Sequence, residues 1–114
     1  MLTLTPKELA SLLEKSPEKI DLIDVRRTDE YSEVNIPAAR NIPLHLLSLR
    51  MSEVDKTKQV IFICRSGARS GQGCTLAESE GIKTYNLTWG MNAFEPDFPT
   101  RVIHDEKKKL FWLF

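Results

Sequence analysis

One stretch of the chain places a nucleophile among the groups that would activate it: Cys64-Arg65-Ser66-Gly67-Ala68-Arg69-Ser70. A thiol attacks well only after losing its proton, and three features of this loop favour the thiolate. The loop opens a helix, so free main-chain N–H groups and the positive dipole end face the sulfur. Gly67 and Ala68 are small enough for the backbone to curl into an anion-binding nest around Cys64. Arg65 and Arg69 add positive charge and planar donors for an anionic substrate, and Ser66 and Ser70 add hydroxyls. A lone cysteine after a buried strand is ordinarily a small core hydrophobe. A purely structural turn has no use for two arginines bracketing small and polar residues, so the pattern favours covalent catalysis by Cys64.

The elements that must hold this loop read as alternating strands and helices. Leu2 to Leu4 suits a short first strand. Thr5 follows as a helix N-cap, with Pro6 at the first helical position, Glu8 completing a capping box, and Leu4 and Leu9 forming a hydrophobic staple. Leu9, Leu12 and Leu13 share a face, and Ser16-Pro17 ends the helix. Ile20 to Val25 reads as a buried strand, and Thr28 as the cap of a short helix reaching Val34. Ile36 to Ala39 forms a turn and Ala39 to Ile42 a short strand. Pro43 opens a helix carrying Leu44, Leu47 and Met51 on one face. Val60 to Ile63 is the most apolar strand and therefore central. Ser70 to Glu80 reads as a helix stopped by Gly81, Lys83 to Leu87 as a strand, and Trp89 to Phe94 as a helical turn before Glu95-Pro96. The alternation predicts an α/β domain on a mostly parallel sheet, with the ligand site at the carboxyl ends of the strands, where Cys64 falls.

Composition narrows the function classes. The chain has 114 residues, enough to bury a core without metal or disulfides. Its 16 basic and 16 acidic residues balance, which argues against nucleic acid as a partner. Two cysteines, Cys64 and Cys74, are too few for a disulfide framework and suit a reducing compartment, most simply the cytoplasm. The N-terminal residues lack the basic and apolar segments of a signal peptide, and no stretch is long enough to span a bilayer. His45 and His104 form no metal-ligand pattern with either cysteine, so no metal is expected.

Four blocks in order carry a resemblance: Leu22-Ile23-Asp24-Val25-Arg26 with Asp29-Glu30-Tyr31; Ile36-Pro37-Ala38-Ala39 with Asn41-Ile42-Pro43-Leu44; the Cys64–Ser70 loop; and Asn86-Leu87 followed by Gly90. The chain resembles the single-domain rhodaneses, sulfurtransferases of the rhodanese-like superfamily, over about residues 3 to 98. It departs from the family at Val34-Asn35 (commonly Gly-His), at Ala38 (commonly Gly), and at Thr88-Trp89-Gly90 (usually a Gly-Gly pair), all outside the loop. The resemblance implies a three-layer α/β domain, a mostly parallel central sheet with helices on both faces. It also implies a mechanism. Cys64 takes the outer sulfur of a small anionic donor such as thiosulfate, carries it as a persulfide, and yields it to cyanide or a thiol. No cofactor is implied. Phosphate-handling relatives carry one more residue between cysteine and arginine; here only four residues separate Cys64 from Arg69, a cradle suited to one sulfur atom. Mercaptopyruvate-type relatives usually have glycine after the cysteine, where this chain has Arg65. The alternative is a sulfur-relay or docking module passing persulfide sulfur between partner proteins. A non-catalytic binding domain is disfavoured by the intact loop.

Other residues admit two readings each. Asp24, at a strand end, either orients Arg69 or the loop or is satisfied by nearby backbone N–H groups. Arg26 either pairs with Glu30 or faces the pocket, and a surface ion pair is favoured. Cys74 lies on the helix leading away from the loop and reads as a buried structural thiol rather than a resolving one. Gly71 and Gly73 are costly inside a helix and imply close packing on the sheet. Residues 1–100 form the domain; in the 101–114 tail, Lys107 to Lys109 precede Leu110, Phe111, Trp112, Leu113 and Phe114. Docking of those five on the domain is favoured over weak contact with a membrane surface or a protein.

Overall fold

The structure is a computed structural model, and it describes residues 1–97. The chain order is β1 (Leu2–Leu4), α1 (Pro6–Lys15), β2 (Ile20–Asp24), α2 (Thr28–Glu33), β3 (Arg40–Asn41), α3 (Leu44–Leu47), β4 (Gln59–Ile63), α4 (Ala68–Glu78), β5 (Thr84–Leu87) and α5 (Gly90–Asp97). The five strands form one sheet in the order β1-β5-β4-β2-β3, and each neighbouring pair is parallel. Parallel strands need crossovers, so helices cover both faces.

β4 shows how the sequence builds two cores at once. Val60 and Phe62 point to one face, where they meet Leu47 of α3 and Cys74 and Ala77 of α4. Ile61 and Ile63 point to the other, where Leu9 of α1, Ile36 and Met91 of α5 pack. All four β4 side chains are buried to 1% exposure or less, as the unbroken apolar run requires of a strand covered on both faces. Three layers result, with the carboxyl ends of β2 and β4 side by side: Asp24 pairs with Ile63.

Local signals placed most boundaries. Thr5 Oγ1 accepts the Glu8 N–H while Glu8 Oε1 accepts the Thr5 N–H, closing the capping box. Leu4 and Leu9 bury in the same cluster. Gly81, at φ +81°, ends α4: its N–H donates to Glu78 O and the Ile82 N–H to Ala77 O, the two bonds of a Schellman closure. At Gly73 an added Cβ would lie 3.4 Å from Leu47 Cδ2 and 3.6 Å from the Phe62 ring, ordinary contact distances, so α4 lies on the sheet there without its packing requiring a glycine.

Three expectations change. Thr28 is the first residue of α2 rather than its cap, which is Arg27; the Arg27 N–H is met instead by Glu30 Oε1 at 3.1 Å. The helix expected from Pro43 to Met51 stops at Leu47 and resumes as a separate 3₁₀ turn at Met51–Glu53. Leu47 and Met51 still bury, because the core draws both side chains inward without continuous helix. α5 continues through Pro96, which falls in the last turn and so forfeits one intrahelical bond. The division at residue 100, the 101–114 tail and His104 lie outside the described residues.

Candidate active site

Cys64 is the first residue beyond β4, at the carboxyl edge of the sheet, and exposes only 1% of its surface. Gly67 makes the turn that brings the backbone back over the sulfur. Its φ of +104° belongs to the left-handed region that side chains resist. In that conformation the Gly67 N–H points at Cys64 Sγ, 3.0 Å away, and Gly67 caps α4. Ser70 Oγ lies 3.3 Å from the same sulfur. Burial pushes the thiol pKa up. Hydrogen bonding at the sulfur, to which the N–H groups of Ser70, Gly67 and Ser66 contribute, outweighs it and leaves the thiol below its ordinary value.

The rest of the expected cradle divides into an inner and an outer part. Ser70 is fully buried beside the sulfur. Arg65, Ser66 and Ala68 are exposed on the rim, and Arg69 is half-buried. Arg69 does not stand free for a substrate. Its Nη1 and Nη2 donate to Glu30 Oε1 and Oε2 at 2.6 and 3.1 Å, tying the first turn of α4 to α2. That bidentate pair holds the Glu30 carboxyl at a pKa of about 2 and raises Arg69 further. Arg65, by contrast, is exposed. It lines a cleft of about 220 Å³ together with Arg26, Glu30, Glu33, Val34, Met91 and Asn92. A larger hollow of about 450 Å³ lies at the amino-terminal edge of the sheet among Lys56, Lys58, Gln59 and Lys83. Neither cysteine lines it; the smaller cleft is the one that borders the Cys64 loop, through Arg65.

Asp24 meets one backbone N–H group, as its second reading expects, but its main partner is the Arg26 side chain. Its carboxylate accepts the Arg26 backbone N–H at 2.9 Å and the Arg26 side chain through Nε at 3.0 Å and Nη2 at 2.8 Å. Neither Arg69 nor the loop is among these partners, so the orienting role is not what the carboxylate performs. Arg26 is correspondingly not a surface residue. It is 4% exposed, and its Nη2 also reaches Val34 O at 2.7 Å. The reason is local: the chain turns sharply after β2, and burying that turn forces the arginine to pair with the nearest buried carboxylate.

Two residues that the loop pattern does not single out hold it in place. Asn86 Nδ2 donates to Gly67 O at 3.0 Å, and Asn86 Oδ1 accepts from Ser70 Oγ at 2.5 Å. Gly90, at φ +54°, lets the start of α5 approach the loop backbone; a Cβ there would lie 2.2 Å from Cys64 O. The approach allows the Met91 N–H to bond Cys64 O at 2.9 Å and the Asn92 N–H to bond Arg65 O at 3.0 Å. Asn86 and Gly90 stand in the Asn86-Leu87…Gly90 block and Glu30 in the Asp29-Glu30-Tyr31 block, but neither block reveals which loop atoms its residues meet. Trp89, just before Gly90, is 68% exposed with φ +62°.

Cys74 is fully buried in the core beside Phe62 and Ala77, and burial raises its pKa. Both cysteines are free. His45 is exposed and does not line the cleft. Among the described residues there is no group of three His, Cys, Asp or Glu able to hold a metal ion, and no helix is long and apolar enough to cross a membrane.

Comparison with known proteins agrees with the motif pattern. The family model described as the rhodanese-like domain matches residues 5–97. YtwF of Bacillus subtilis, whose name proposes a sulfurtransferase, is 42% identical over 75% of this chain and 85% of its own length. A protein of Allochromatium vinosum named sulfurtransferase is 40% identical over 68% of this chain and 73% of its own. Among solved structures, a rhodanese-like domain protein from Staphylococcus aureus superposes with a TM-score of 0.77 at 29% identity, covering 82% of this chain and 91% of that one.

Proposed function

The chain belongs to the rhodanese-like domain family, a family of sulfurtransferases, and from that premise we propose that Cys64 carries sulfane sulfur from a small anionic donor to a thiophilic acceptor. The Cys64 thiolate attacks the outer sulfur of a donor such as thiosulfate. An S–S bond forms on Cys64 as the donor's own S–S bond breaks, and that electron pair departs on sulfite. An acceptor, cyanide or a thiolate, then attacks the outer sulfur of the persulfide, and Cys64 leaves as thiolate. The two displacements alternate, so the kinetics are ping-pong.

The observation that supports this most is the Gly67 N–H aimed at Cys64 Sγ from 3.0 Å. With the Ser66 and Ser70 amides it forms a fixed set of donors for negative charge on sulfur, needing no reorganisation during reaction. In the persulfide the charge moves to the outer sulfur, and the same amides stabilise it there. Arg65, exposed at the cleft, draws the anionic donor and steadies departing sulfite. Arg69 contributes through Glu30, by fixing the first turn of α4. Two free thiols suit a reducing compartment, and the reading assigns the protein to the cytoplasm.

The test is intact mass after incubation with thiosulfate, run on wild type, Cys64→Ser and Cys74→Ser. Wild type and Cys74→Ser gain one sulfur, and Cys64→Ser gains none. Equal labelling of all three defeats the assignment. A persulfide that forms on Cys64 without turnover to cyanide assigns the chain to protein-to-protein sulfur relay instead.

A further inference from the structure

We infer that Asn86 is a positioning residue that holds the Ser70 hydroxyl proton away from Cys64, so that Ser70 accepts from the resting thiol and main-chain amides alone hold the thiolate. The inference takes Cys64 as the nucleophile from the reading above, but its test needs no sulfur donor.

Asn86 sits with one end of its amide 3.0 Å from Gly67 O and the other 2.5 Å from Ser70 Oγ. A carbonyl oxygen only accepts, so the end facing Gly67 O must be the NH2 group. The reverse orientation would set two acceptors against each other. Oδ1 therefore faces Ser70, and it too only accepts. The single Ser70 hydroxyl proton must lie in that contact, whose length is at the short end for an O–H···O bond. Toward Cys64 Sγ, 3.3 Å away, Ser70 then presents a lone pair. The fitting partner for a lone pair is the S–H of the neutral thiol.

Ionisation sends the Cys64 proton to solvent and leaves that lone pair facing a negative sulfur. Turning the hydroxyl toward sulfur would leave Ser70 Oγ and Asn86 Oδ1 with lone pairs opposed at 2.5 Å, while Asn86 cannot rotate away without abandoning Gly67 O. A hydroxyl lowers a thiol's pKa only as a donor. With its proton committed to Asn86, the depression at Cys64 falls to the N–H groups of Gly67, Ser66 and Ser70, and Ser70's side chain works against them.

The sign of one substitution decides this. Cys64 alkylation by iodoacetamide is followed against pH and read from the mass of the Cys64 peptide, so Cys74 does not contribute. Ser70→Ala removes the acceptor for the thiol and should lower the Cys64 midpoint by about half a pH unit, the worth of one weak hydrogen bond. Asn86→Ala frees the Ser70 proton to turn to sulfur and should also lower the midpoint, but only while Ser70 is present; added to Ser70→Ala it should do nothing more. A Ser70→Ala midpoint that rises or stays unchanged overturns the inference. If Asn86→Ala fails to fold by circular dichroism, the Ser70→Ala result decides alone. Persulfide formation in wild type is a separate readout, so either conclusion can fail without the other.

Discussion

Glu30→Gln isolates the charge in the bridge that fixes the start of α4. Glutamine keeps the size of the side chain and one possible hydrogen bond, and loses the carboxylate that Arg69 grips at 2.6 and 3.1 Å. The folded protein holds Glu30 at a pKa of about 2, against 4.5 for the free group. That displacement corresponds to at most roughly 3 kcal/mol of stability. The Arg69 side chain is 33% exposed, so solvent screens part of it, and a loss of about 1–2 kcal/mol near pH 7 is the working figure. The sign follows from linkage. Because the folded pKa lies below the unfolded one, the contribution is complete above 4.5 and drains away as pH falls toward 2. Urea unfolding of wild type and Glu30→Gln at a series of pH values should show a gap that is widest at neutral pH and closes through that window. A gap that stays constant with pH would mean the bridge acts by shape or neutral hydrogen bonding, and the electrostatic reasoning would be wrong.

Other expectations are equally direct. Gly90→Ala puts a Cβ 2.2 Å from Cys64 O and 2.9 Å from Arg65 C, backbone atoms that cannot yield without moving the loop. It should cost about 3 kcal/mol or more in urea unfolding and abolish persulfide formation, whereas Gly81→Ala, with nothing within 4 Å of its Cβ, should cost only about 1 kcal/mol and leave the chemistry intact. Asp24→Asn strips the charge partner from an arginine that is 4% exposed and should destabilise by about 3 kcal/mol in the same assay, because a buried guanidinium is left uncompensated. Gly73→Ala fits a methyl at ordinary contact distance from Leu47 and Phe62 and should raise stability by about 0.5–1 kcal/mol through helix propensity.

The parts of this molecule that local sequence encodes were readable from it. The apolar run at Val60–Ile63 announces a strand covered on both faces, and Thr5-Pro6 with Glu8 announces a helix start. The thiol in its small, cationic loop is local too. What escaped is pairing across distance. Glu30 meets Arg69 across 39 residues, and Asn86 meets Ser70 across 16. Neither pairing leaves a periodicity or a spacing to read. Asp24 misled because a carboxylate at a strand end has several cations within plausible reach, and only the tightness of the turn after β2 selects Arg26 over Arg69. The helix after Pro43 broke for a similar reason. Leu44, Leu47 and Met51 have helical spacing, but the core asks only that Leu47 and Met51 be buried, and a four-residue helix followed by a 3₁₀ turn meets that demand.

The Cys64 loop is shaped by residues that follow it. Gly67 O waits for Asn86, Cys64 O for Met91 and Arg65 O for Asn92, while β1 likewise waits for β5, its one partner among the described residues. A nascent chain lacking this closing segment holds its cysteine in a loop whose carbonyls have none of those three partners. The loop therefore gains its full support only once residues 86–92 are made, and a product ending before residue 86 carries Cys64 in an unbraced loop.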